Sequence, residues 1–330
     1  MRATTVPEGP GAATSLSRAL NTGLREAMAA DPSVLVMGED VGTLGGVFRV
    51  TDGLMAEFGP DRVMDTPLGE AGIVGTAIGM ALRGLRPVCE IQFDGFVFPA
   101  FNQITTQLAH LAARSRGTVR LPLVIRVPFG GGIGAAEHHG ESPEAYFTHT
   151  PGLRVVACSS PADAHTMIRQ AVACPDPVVF FEPKQLYWER GPVDTDLVSA
   201  PAMGSAAVVR RGTDATLLAY GPSVRTCLDA AAADDRSLEV VDLRSLSPLD
   251  METVTASVRR TGRCVVVHEA PVFGGYGAEV AARVTEHCFD ALRAPVLRVG
   301  GLSVPYPPSR LEHHYLPDLD RVLDAVDRTW

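Results

Sequence analysis

Val155-Val156-Ala157-Cys158, the stretch from Pro161 to Ala173, and Val178-Val179-Phe180-Phe181-Glu182 together decide the fold. The outer two runs are apolar at every position before the terminal acid, rather than at every second one. That is the signature of strands buried on both faces of a sheet. The stretch between them reads as a helix, so the unit is strand, helix, strand with parallel strands.

The same alternation extends outward in both directions. Leu16, Ala19, Leu20, Leu24, Ala27 and Met28 recur at helical spacing behind a capping Ser15. Val34 to Met37, Val88 to Phe93 and Pro122 to Val127 read as strands. Asn102 to Ala113 reads as a helix. Glu70 to Leu82 is apolar and crowded with Gly and Ala, which suits a helix packed close to its neighbours, although each Gly costs about 1 kcal/mol of propensity. Farther on, strands are expected at Ala215 to Tyr220, Leu238 to Leu243, Cys264 to His268 and Val296 to Val299. Helices are expected at Val224 to Ala233, Met251 to Arg260 and Ala278 to Phe289. From about Pro183 to Ser205 the chain is rich in Pro and lacks periodic pattern. The predicted class is therefore α/β, with two parallel-sheet domains. A loose tail covers 1–14, the first domain 15–190, a linker 191–205 and the second domain 206–330.

Composition narrows the function classes. The 330 residues are 46% hydrophobic and 20% charged, which supports a large core and argues against global disorder. A net charge of -9 speaks against nucleic acid as the main partner and suits a basic protein surface. No apolar run approaches the length of a membrane span, and Met1 to Thr14 lack the apolar stretch of a signal peptide. The six cysteines form no C-x-x-C pair. Cys89 and Cys264 lie in apolar runs, as expected of reduced thiols in a cytoplasmic protein.

In open parallel sheets, ligands gather at the carboxyl ends of the strands. Gly38-Glu39-Asp40, Gln92-Phe93-Asp94-Gly95-Phe96, the loop Gly130 to Ser142 and His268-Glu269 hold such positions and concentrate acids, aromatics, Gly and His. In Thr66-Pro67-Leu68-Gly69-Glu70, Glu70 is either a first-turn acid favoured by the helix dipole or a carboxylate placed to exchange a proton with a bound heterocycle. The glycines from Gly130 to Gly134 allow a phosphate cradle. Glu137, His138, His139 and Glu141 allow a metal, and a mobile active-site loop with one working His fits the same residues better. Gly274-Gly275-Tyr276-Gly277 is the best candidate for a dinucleotide turn, though no acid ends the next strand. His313-His314 reads as a solvated face.

Taken together, these segments resemble the β subunit of the branched-chain 2-oxo acid dehydrogenase, within the group that includes pyruvate dehydrogenase. The matching stretches are Val36 to Val41, Asp65 to Glu70, Glu90 to Phe96 with Phe98 to Phe101, His139 to Phe147, Phe180 to Lys184 and His268 to Pro271. The likeness runs from about residue 14 to the C-terminus.

The resemblance implies thiamine diphosphate as cofactor, with Glu70 hydrogen-bonded to its aminopyrimidine ring, Phe96 stacked on that ring, and Leu68 and Gln92 lining it. It implies that His139 sits near the reacting centre and assists transfer to a lipoyl arm, and that Glu39 belongs to a chain of carboxylates between two active sites. Pro99 departs from that pattern, standing where some relatives carry another acid. A monovalent cation, K+ being the candidate, is implied through backbone carbonyls near Leu121, Leu123, Val124, Cys174 and Asp176. Cys174 replaces a polar residue there.

The chain has no Gly-Asp-Gly, the signature with which complete thiamine enzymes hold magnesium and diphosphate. The resemblance therefore implies half of an active site, completed by an α subunit that carries Mg2+ in an α2β2 heterotetramer. It further implies decarboxylation of branched-chain 2-oxo acids and docking of a lipoyl-bearing acyltransferase core on the second domain. Still open are a pyruvate or acetoin dehydrogenase β chain, half of a split transketolase, an NAD oxidoreductase and a non-catalytic scaffolding subunit.

Overall fold

The computed structural model describes residues 13–135, 138–193 and 200–330. Among them, fourteen strands form two large sheets and one small one. The first half contributes β1 (Ala13–Ser15), β2 (Val34–Gly38), β3 (Val63–Asp65), β4 (Arg86–Glu90), β5 (Val124–Phe129), β6 (Arg154–Ala157), β7 (Val178–Pro183) and β8 (Arg190–Pro192). The second half contributes β9 (Ala207–Arg210), β10 (Ala215–Ala219), β11 (Leu238–Asp242), β12 (Ser245–Ser247), β13 (Cys264–Pro271) and β14 (Leu297–Gly301).

The larger sheet runs β12-β6-β7-β5-β4-β2-β3, parallel except at β12. The second runs β14-β13-β10-β11-β9, parallel except at β9. Alternate side chains of each central strand face opposite cores, as the pleat requires. Val34 and Val36 join Leu16, Leu20 and Leu24 of the helix Leu16–Ala30, together with Met167 and Ile168 of the helix Pro161–Ala173. Leu35 and Met37 point the other way, into a core with Ile73, Val74 and Ala77 of the helix Glu70–Leu82.

That second core continues across the chain's midpoint and takes in Leu218, Tyr220, Val241 and Leu246. The halves are further stitched by β12, which leaves the second half of the sequence to pair antiparallel with β6 of the first. The helix expected over Asn102 to Ala113 is present, π-wound over Gln103–Leu108 and α-wound over Ala109–Arg114. Among the described residues, no helix is long and apolar enough to cross a membrane.

Candidate active site

The strands β5, β4, β2 and β3 are consecutive parallel neighbours, so their carboxyl ends open on one edge of the sheet. Glu39 follows β2, Leu68 and Glu70 follow β3, Gln92 and Phe96 follow β4, and the loop with His139 follows β5. Residues up to 100 positions apart in sequence thus arrive together for a topological reason, the one that makes strand ends the usual ligand sites of such sheets.

Glu39 and the start of the helix Glu70–Leu82 are joined directly. The Gly69 amide donates to Glu39 Oε1 at 3.3 Å. Burial raises the Glu39 pKa, and the negative charge of Glu70 raises it further. Gln92 Nε2 donates to the Glu39 carbonyl at 3.4 Å and to Asp40 Oδ2 at 3.3 Å, which fixes its side chain against the turn after β2. Glu70 is only 8% exposed. Its carboxylate makes no hydrogen bond among the described residues, and the neighbouring Thr66 Oγ1 is buried without a partner. Leu68, by contrast, is 85% exposed. A largely buried acid with unused acceptors that still reach the surface can take a donor from a bound group, and the exposed Leu68 adds apolar surface beside it.

His139 sits in an aromatic corner. Its ring meets Phe93 edge-on at 4.3 Å and Phe96 at 5.2 Å between centroids. Phe93 and Phe96 themselves lie 6.0 Å apart in a T-shaped pair. His138 is exposed, adopts a positive φ of 70°, and sets its carbonyl against Gly95. The two histidines are therefore presented differently, with His139 turned to the rings after β4.

The glycines before His139 do not leave a vacant phosphate cradle. The Gly131 amide donates to Glu269 Oε2 at 2.9 Å, the Gly132 amide to Glu312 Oε1 at 2.8 Å, and the Gly134 amide to Glu312 Oε2 at 3.0 Å. Two carboxylates of the second half thus occupy the amide-lined concavity that left-handed glycines create. The dinucleotide candidate is similarly filled. A Cβ on Gly275 or Gly277 would approach the His268 ring to 2.8 Å or 2.4 Å, so these glycines make room for a buried imidazole. Burial lowers the pKa of His268 to about 4. His313 and His314 are both exposed, as expected of a solvated face.

The cation candidates lie at the opposite, amino-terminal edge of the sheet. The Leu123 carbonyl accepts from the Val178 amide at 2.9 Å, and the Cys174 carbonyl accepts from Arg86 Nη1 at 3.4 Å. The Asp176 carboxylate is held by Arg120 at 3.0 Å and Arg154 at 3.1 Å, so a cation beside Leu121 and Val124 would have to rely on carbonyls. Among the described residues no cluster of three or more His, Cys, Asp or Glu could hold a metal, and Glu137 lies outside those residues.

Comparison with known proteins matches this arrangement in both halves. Residues 12–189 match the family described as "Transketolase, pyrimidine binding domain", and residues 204–322 that described as "Transketolase, C-terminal domain". The chain is 60% identical over 315 residues to a "Pyruvate dehydrogenase E1 component subunit beta" of Leifsonia xyli, covering 94% of this chain and 93% of the relative. It is 55% identical over 318 residues to a "3-methyl-2-oxobutanoate dehydrogenase subunit beta" of Mycobacterium tuberculosis, covering 95% and 91%. The chain belongs to the family of 2-oxo acid dehydrogenase E1 β subunits.

Pseudomonas aeruginosa carries another relative, a "2-oxoisovalerate dehydrogenase subunit beta", 44% identical over 346 residues, with 98% of this chain and 97% of the relative covered. Among solved structures, the "Split gene transketolase, inactive beta4 tetramer" superposes with a TM-score of 0.76 over 96% of this chain and 98% of its own, at 23% identity. That likeness is one of fold.

In this E1 β chain the sequence motifs did not reveal what supports the site from below. Arg126 is fully buried on β5, donating to Glu90 Oε2 at 2.5 Å and to both Glu182 oxygens at 2.7 and 2.8 Å. Tyr187 OH adds a fourth hydrogen bond, to Glu182 Oε2 at 2.6 Å. Beside this network Lys184 Nζ pairs with Asp94 Oδ1, and Asp94 Oδ2 accepts the Glu141 amide at 2.8 Å. Burial opposes both charges of that pair, raising Asp94 and lowering Lys184, while their contact counters it. The available signal was a charged residue inside each apolar run, Glu90, Arg126 and Glu182, on three adjacent strands.

Proposed function

We propose that this β subunit works in an α2β2 dehydrogenase that decarboxylates branched-chain 2-oxo acids with thiamine diphosphate and passes the acyl group to lipoyl-lysine of an acyltransferase core. The observation that carries the proposal is Glu70: a buried carboxylate with unused acceptors, opening a helix at the shared edge of four parallel strands. When bound, the cofactor supplies the carbanion chemistry that cleaves the bond to the carboxylate.

This chain's residues do the rest of their half. Glu70 holds or yields a proton at the aminopyrimidine ring, and the adjacent Glu39, its pKa raised by burial and by Glu70, belongs to a chain of carboxylates leading to the second active site. Phe96 offers the ring face, Leu68 and Gln92 its edges. His139, held by Phe93 and Phe96, donates toward charge developing on the substrate and moves a proton during acyl transfer. The missing Gly-Asp-Gly supports an α subunit that holds Mg2+ and the diphosphate. The net charge of -9 supports docking of a basic element of the core, which we assign to the second half. K+ near Leu121 to Val124 belongs to the same proposal. Free thiols at all six cysteines support a reducing, cytoplasmic setting.

A second reading, pyruvate as substrate, is favoured by the relative at 60% identity. Reconstitution with the α subunit and assay of 3-methyl-2-oxobutanoate against pyruvate separates the two. A kcat/KM at least about ten-fold higher for the branched acid is expected, a difference on the scale of a few methylenes in an apolar pocket. A preference for pyruvate overturns the branched-chain assignment.

A further inference from the structure

The loop that carries His139 is held at both ends by side chains from the other half of the chain. At its start, the Glu312 carboxylate bridges the amides of Gly132 and Gly134, and Glu269 takes the amide of Gly131. At its close, Gly130 N donates to the Glu141 carbonyl at 2.9 Å. The Tyr306 side chain lies between the two ends. A Cβ on Gly131 would come to 2.0 Å from its hydroxyl, and one on Gly140, next to His139, to 2.3 Å from its ring. The Tyr306 hydroxyl in turn donates to Glu312 Oε1. Glu312 is 8% exposed and forms no ion pair among the described residues, so its hydrogen bonds come from these donors, with Lys184 near enough to feel its charge. A buried carboxylate that spends its acceptors on one loop holds that loop strongly, because releasing it leaves an unsatisfied charge.

We propose that Tyr306 and Glu312 form a positioning clamp that fixes the His139 loop, so that the second half of the chain sets where the imidazole meets its substrate. The inference rests on the assignment of His139 to acyl transfer made above. Both are positioning residues: Tyr306 packs on Gly140 beside His139, and Glu312 holds Tyr306 together with the amides of Gly132 and Gly134.

Two variants test the clamp in the reconstituted complex: Glu312→Gln, which retains one acceptor oxygen and removes the charge, and Tyr306→Phe, which keeps the ring between the glycines and removes the hydroxyl. Hydrogen exchange of the peptide spanning Gly131 to Gly140 should quicken about ten-fold in Glu312→Gln, the scale of one lost charged hydrogen bond. Acyl transfer to the lipoyl domain should fall by a similar factor, with a smaller loss in decarboxylation read with an artificial electron acceptor. In combination with His139→Ala, Glu312→Gln should cost little more, since both act through one side chain. Unchanged loop exchange, or losses that multiply in the double variant, overturns the clamp. If Glu312→Gln fails to assemble, Tyr306→Phe decides by the same readouts. If His139→Ala itself leaves acyl transfer intact, the role of His139 falls, while the exchange measurement still decides whether the clamp exists.

Discussion

The carboxylate of Glu39 feels the charge of Glu70: its pKa is raised first by burial and then by that neighbour, although the Gly69 amide between them works the other way. Burial and a like charge both disfavour the charged form of a carboxyl group, so Glu39 is easier to protonate here than in water.

Glu70→Gln follows from that pairing. Removing the acid should lower decarboxylation in the reconstituted complex by a factor on the order of 100 to 10,000, the range for a lost general acid or base. The unfolding midpoint should move only modestly, because a first-turn helix charge contributes at most about 2 kcal/mol even where it is partly buried. Normal turnover in the variant would leave Glu70 a helix-start acid and nothing more.

The isolated chain should bind thiamine diphosphate weakly even with magnesium. It lacks Gly-Asp-Gly, and Leu68, proposed to line the ring's edge, stands 85% exposed. Titration calorimetry on the purified chain, with and without the α subunit, measures the difference. Tight magnesium-dependent binding by the chain alone would contradict the shared site.

Beneath the site, Arg126 holds Glu90 and Glu182 together in a buried layer. Arg126→Met should cost about 3–5 kcal/mol, because it strands two buried carboxylates. Changing all three together, to Gln at 90 and 182 and Met at 126, should recover much of that loss. Denaturant unfolding of wild type, Arg126→Met, the Glu90→Gln/Glu182→Gln pair and the triple change forms the cycle, and a harmless Arg126→Met would show that the network carries no stability.

How much of this could be read from sequence depended on range. Central strands were legible because a run such as Val178 to Phe181 is apolar on both faces, and the helices Glu70–Leu82 and Pro161–Ala173 end where their patterns end. The three-residue strands Ala13–Ser15, Val63–Asp65, Arg190–Pro192 and Ser245–Ser247 were not, since three residues show no period and their pairing depends on distant partners. The strand-end acids and the His-bearing loop stood out through local composition, whereas the choice of His139 over His138 came from the family resemblance. The clamp did not, because Glu312 lies 178 to 180 positions from the amides it binds, and nothing near Gly132 in sequence names its partner.

Glu144 gives the chain a pH dependence of definite sign. Its Oε1 accepts from Tyr220 at 2.5 Å, its Oε2 is buried without a partner, and burial raises its pKa from 4.5 to about 7. An acid raised on folding contributes stability that is complete below the unfolded pKa and lost as pH climbs through the folded one. Between pH 4.5 and 7 the loss should be on the order of 3 kcal/mol. Glu144→Gln carries no charge to bury, so relative to wild type it should gain stability across that window. Urea unfolding at pH 5 and pH 8 tests the difference, and an identical pH slope in both proteins would exclude Glu144 as its source.

His139 and His138 are neighbours with different surroundings, and their variants should separate. His139 packs on Phe93 and Phe96, whereas His138 is exposed at φ 70° with its carbonyl against Gly95. His139→Ala should impair acyl transfer to the lipoyl domain more than decarboxylation with an artificial acceptor. A donor aimed at developing charge is worth about 2.7–4 kcal/mol, so the effect should exceed 100-fold. His138→Ala should be milder in both assays, and His138→Gly milder still, because glycine accepts the left-handed backbone without strain. Gly95→Ala supplies a control that leaves both imidazoles in place. Its methyl would come within 2.5 Å of the His138 carbonyl and must displace the backbone beside His139. It should therefore reproduce the acyl-transfer defect of His139→Ala while sparing Glu70. If the two histidine variants behave alike, or if Gly95→Ala is silent, the position of His139 against the rings after β4 is not what acyl transfer depends on.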